Sequence, residues 1–127
     1  MAIKQTPNQI RRIEEIGQFI RTVDHVKKLV TELEGNRAAR PIIINNICGS
    51  IARELSQMRQ RAMTANVGTL ADVAGTLAVV AARQGTGFNM KIRALSDGVN
   101  SMTMQLDVAM KQAHEPEKSD KEPKQPS

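Results

Sequence analysis

A chain of 127 residues, 40% of them hydrophobic, suits one compact domain and is too short for two ordinary ones. Phe19 and Phe88 are its only aromatic residues, so the core must come from Ile, Leu, Val, Met and Ala, which favours helix-on-helix packing over a sandwich or barrel. Cys48 stands alone, which excludes an internal disulfide framework and a thiolate-rich zinc site.

The formal charge of +5 is unevenly placed. It divides into +3 over residues 1–40, +2 over 41–66, zero over 67–84, +1 over 85–113 and −1 over 114–127. A mild basic excess in the first half is compatible with an acidic partner or nucleic acid and requires neither. The N-terminal sequence turns polar too soon for a secretory signal. No apolar run approaches the ~20 residues of a membrane span. The expected compartment is therefore a reducing cytoplasm, with no membrane partner.

Residues 1–7 read as a flexible arm leading to Asn8 as a helix N-cap. From there Ile10, Ile13, Ile16, Ile20, Val23, Val26, Val30 and Leu33 recur at three- and four-residue steps, with Phe19 beside them. This predicts a long amphipathic helix of roughly 26 residues, stopped at Gly35 and Asn36. After a short basic link, Pro41 opens a second helix whose stripe is Ile44, Ile47, Ile51, Leu55, Met58 and Ala62. The run Ile42–Ile44 is too short for a strand and has no partner strand, so it belongs to that helix.

Thr69 and Asp72 resemble a capping box for a third helix over Thr69–Gln84. Leu70, Val73, Leu77 and Val80 form its large apolar row, and Ala71, Ala74, Gly75, Ala78 and Ala82 form a second row of small residues. A helix apolar over most of its circumference is buried on several sides. It is either the central helix of the domain or a helix shared between subunits. Gly85 and Gly87 end it, and Asn89 is the expected cap of a fourth helix. There Ile92, Leu95, Val99, Met102, Leu106 and Ala109 follow heptad spacing. Gly98 inside that helix costs ~1 kcal/mol relative to Ala and marks a tight crossing or a bend. The segment 114–127 is charged, proline-containing and without large apolar residues, which predicts disorder.

The fold expected is all-α: an up-down four-helix bundle over residues 8–113, with the flexible arm before it and a disordered tail after it. The first helix outruns the third by roughly ten residues, so part of its apolar stripe is expected to overhang a monomeric bundle.

No constellation of catalytic residues, metal ligands or cofactor-binding residues emerges. A di-iron bundle needs inward Glu-x-x-His pairs, and none occurs. Gln84–Phe88 matches neither the P-loop nor the dinucleotide pattern and reads as a helix–helix turn. Cys48 reads as a buried structural thiol. The leading expectation is a non-enzymatic interaction or structural subunit that self-associates through Ala71, Ala74, Gly75, Ala78 and Ala82 of the third helix with Met102 and Leu106 of the Met-rich fourth. The alternative is a small basic nucleic-acid-binding accessory subunit contacting phosphates through Arg37, Arg40, Arg53, Arg59 and Arg61, although single-strand binders usually stack bases on aromatics. A minor third reading rests on His25, exposed on a bundle helix with Lys28 three residues on, which resembles histidine phosphotransfer domains. There the lysine is usually followed by glycine and small residues, whereas Leu29 and Val30 follow here.

Overall fold

A computed structural model describes residues 5–83, 85 and 87–115. It contains four helices: α1 (Pro7–Gly35), α2 (Pro41–Ala62), α3 (Leu70–Ala82) and α4 (Phe88–His114). No strand occurs among the described residues. Each helix packs on its two neighbours in the ring α1–α2–α3–α4–α1, and the diagonal pairs have no Cα–Cα approach within 8 Å. Bonds between helix ends set the directions. Gln9 at the start of α1 reaches the end of α4, and Arg12 reaches the carbonyls that follow α2. Lys91 at the start of α4 reaches the end of α3. Neighbouring helices therefore run antiparallel, and the architecture is the expected up-down bundle.

The predicted stripes form most of the core, except that α3 buries Leu70, Ala74, Leu77 and Ala81 and leaves Val73 and Val80 half-buried. Ile16, Val26 and Leu33 of α1, Ile51, Leu55 and Met58 of α2, Leu70 of α3, and Leu95, Met102 and Leu106 of α4 are all but sealed from solvent. Phe19 joins them rather than flanking the stripe. Ile10, at the first turn of α1, is exposed instead.

Four local expectations are corrected. Thr6, not Asn8, caps α1: its hydroxyl accepts from the Gln9 backbone at 3.1 Å, while the Gln9 Oε1 accepts from the Thr6 backbone at 3.0 Å, and Pro7 holds the first helical position. The arm therefore ends before Thr6, and positions 1–4 of it lie outside the described residues, as do 116–127 of the predicted tail. The Thr69–Asp72 box does not form, because Thr69 makes no side-chain capping bond within its own helix. Its place is taken by Gln105 of α4, whose Oε1 accepts from the Thr69 backbone at 2.9 Å and whose Nε2 donates to the Thr69 hydroxyl at 3.0 Å. Finally, Gly87 rather than Asn89 precedes α4, and the Asn89 side chain accepts from Arg37 across the helix ends.

The predicted overhang of α1 is also absorbed within the chain. α3 has only 13 residues against 29 in α1, but the 27 residues of α4 run the length of α1. Beyond the start of α3, the connection after α2 turns back under the bundle and buries Ala65 and Val67. Asn66 and Gly68 adopt left-handed φ of 54° and 48° to make that turn. Arg12 donates to the Ala65 and Asn66 carbonyls and ties the turn to α1.

Candidate functional site

The doubly apolar α3 is not central: it packs on α2 and α4 and leaves Asp72, Thr76, Val79 and Ala82 exposed. Ala74 is fully buried, Ala71, Gly75 and Ala78 are half-buried, and Ala82 is exposed. At 100° per residue, Ala71, Gly75, Ala78 and Ala82 share one flank of α3, and Gly75 places that flank against α2. The α2–α3 contact is the most extensive between any two helices. Small side chains let the two backbones approach, and the Arg59 stem lies directly over Gly75. A Cβ at Gly75 would fall 2.8 Å from Arg59 Cδ. Ala74 is thus enclosed within the chain and Arg59 lies over Gly75, while Gly75, Ala78 and the exposed Val79 line an open groove of about 700 Å³ with Asp72 and Ser56.

The fourth helix divides similarly. Met102 and Leu106, expected at an interface, are sealed in the core. Besides Met90 in its first turn, α4 presents Met104 and Val108 outward, 68% and 54% exposed, four positions apart and so on one face. Beside them a groove of about 380 Å³ is lined by Val67 and Gly68 of the turn, Gln105, Ala109 and Gln112 of α4, and Arg12. Its floor is fixed by the Arg12 and Gln105 hydrogen bonds to that same turn. Sequence reasoning missed Met104 and Val108 because they fall off the heptad, and helical spacing from Met104 was the signal available.

The five arginines do not gather on one face. Arg59 and Arg61 are two positions apart and therefore about 200° apart around α2. Arg59 lies toward α3, whereas the Arg61 guanidinium sits 5.9 Å from the Phe19 ring centroid and donates to the Thr22 hydroxyl of α1. Arg53 is exposed on the outer side of α2. Arg37 and Arg40 belong to the end of the bundle, where Arg37 lies 5.1 Å from the Phe88 ring centroid. A single phosphate-tracking stripe through all five is absent.

His25 is exposed and lines a shallow groove of about 280 Å³ with Gln18, Arg21, Thr22, Glu54 and Arg61. Cys48 is buried, as expected, and accepts a long contact from Lys91 Nζ at 3.9 Å. The same ammonium donates to the Arg83 and Ala81 carbonyls at 2.9 and 3.4 Å, so it caps the C-terminal end of α3. No group of three or more potential metal ligands occurs among the described residues. No described helix is long and apolar enough to cross a membrane. No protein-family model, curated protein or solved structure matches this chain.

Proposed function

We propose that the protein is a non-enzymatic helical interaction module that self-associates through the outer face of α4. The observation that supports this reading is the exposed Met104–Val108 pair beside a preformed groove. Two large apolar side chains held on one rigid helical face, next to a concavity of matching character, suit a partner helix. Methionine adds adaptability at such a contact. A second copy offers the same pair and the same groove, which is the self-complementary requirement of a two-fold interface. The exposed Asp97 and Lys111, seven positions before and after Met104, share this face, and Arg12 at its rim is already committed to the turn after α2. The small-residue flank of α3 supports the module from within by bringing α2 close.

The test is the mass of the Met104→Glu/Val108→Glu double variant by size-exclusion chromatography with light scattering. Both positions face solvent, so helicity by circular dichroism should remain while the oligomer dissociates to monomer. An oligomer of unchanged mass, or a wild-type chain that stays monomeric at high concentration, refutes the proposal.

A further inference from the structure

The opposite end of the bundle combines exposed aliphatic residues with an excess of positive charge. This is the end where α2 and α4 begin and where α1 and α3 finish. Ile42 and Ile43 open α2 and are 65% and 42% exposed, and Met90 in the first turn of α4 is 70% exposed. Side chains on a helix lean toward its N-terminus, so all three are directed off this end rather than along the bundle. Around them stand Arg37, Arg40, Arg83 and Arg93, all exposed. The sequence holds no acidic residue from Gly35 to Arg53 or from Val73 to Ser96. Glu32 and Glu34, in the last turn of α1, are the acids that approach this end.

We infer that this end docks on an anionic lipid surface, with Ile42, Ile43 and Met90 entering the headgroup boundary and the arginines pairing with lipid phosphates and carboxylates. Apolar side chains ringed by cations are what a peripheral contact with an acidic leaflet rewards, and such a contact needs no membrane-spanning helix. The isoleucines decide against a nucleic acid, because a phosphate backbone gains nothing from exposed aliphatic groups. Their exposure at the starts of two helices suits a fluid acyl boundary. The inference stands apart from self-association, since Met104 and Val108 lie toward the other end of the molecule.

The experiment is co-sedimentation of the full chain with vesicles of phosphatidylcholine alone and of phosphatidylcholine mixed with phosphatidylserine. Binding is expected only to the acidic vesicles. Each cation near such a surface contributes about fivefold in partitioning, so Arg40→Gln/Arg93→Gln should weaken binding about 25-fold. Ile42→Ser/Ile43→Ser, which leaves the charge intact, should weaken it about tenfold or more. All four side chains are exposed, and unchanged circular dichroism spectra confirm that the variants fold. Met104→Glu/Val108→Glu should retain vesicle binding even where it abolishes self-association. Absent or equal binding to the two vesicle types overturns the inference. So does an isoleucine variant that binds like wild type, or an oligonucleotide bound more tightly than the acidic vesicles.

Discussion

Replacing Gly98 with Ala measures how closely α3 and α4 cross. In an ordinary helix interior the change would stabilise by about 1 kcal/mol, because glycine carries the larger entropic cost of ordering. Here the new Cβ would lie 2.6 Å from Leu77 Cδ2, 2.7 Å from Leu77 Cγ, and closer still to Cδ1. Leu77 is itself buried in the core, so moving it displaces other packed groups. Overpacking of this kind costs about 1–3 kcal/mol, and three atoms in conflict place it toward the upper end. The net expectation is a loss of about 1–2 kcal/mol. With neither Trp nor Tyr in the chain, unfolding is best followed by far-ultraviolet circular dichroism in urea and on heating. The melting temperature should fall by about 4 °C for each kcal/mol lost. Leu77→Ala by itself should cost about 2–5 kcal/mol by leaving a cavity. Combined with Gly98→Ala it should cost less than the sum, since the added methyl enters the vacated space. A Gly98→Ala chain more stable by about 1 kcal/mol, or strict additivity in the double variant, would refute the close crossing.

The remaining predictions concern bonds that tie the ends of the molecule together. Gln9 is buried, accepts from the Thr6 backbone, and donates to the Ala113 and Glu115 carbonyls at 3.2 and 2.7 Å. Gln9→Ala should therefore cost about 1–3 kcal/mol and speed hydrogen exchange at the end of α4 as well as at the start of α1. Exchange altered only in α1 would show that the bridge does not hold. A double-mutant cycle on Thr69→Val and Gln105→Ala should give a coupling of about 0.5–1.5 kcal/mol, and zero coupling would return the capping of α3 to its own residues. Cys48 should react with a thiol reagent in the folded chain far more slowly than in urea, at a rate that tracks opening of the bundle. Fast labelling without loss of helicity would contradict its burial between α2 and α4.

How much was legible in the sequence follows from the range of the interactions involved. Helix count, helix type and most of the core depend on apolar spacing along one chain, and the stripes of α1, α2 and α4 emerge from it directly, whereas in α3 Ala74 and Ala81 are buried in place of Val73 and Val80. The heptad from Ile92 to Leu106 lies inside, and Gly98 marks a tight crossing as its position in the helix predicts. The cap of α1 was legible too, since Thr6-Pro7-Asn8-Gln9 carries a capping box with proline at the first helical position, although Asn8 drew the reading away from it. What tertiary structure alone decided are the partners of each face. Apolar character in α3 predicts a helix covered on several sides, whereas among the four helices it packs on α2 and α4 alone. The structure adds that the Arg59 stem of α2 lies over Gly75 and leaves Ala82 exposed. Thr69 carries a capping signature, but the glutamine that serves it lies 36 residues away. The arginines are close in sequence yet disperse around the bundle, because neighbours on a helix turn by 100° per residue. Periodicity belongs to the single helix and can be read from it. The exposed Met104–Val108 face, and the gathering of Ile42, Ile43 and Met90 at one end, exist only once four helices have been set side by side.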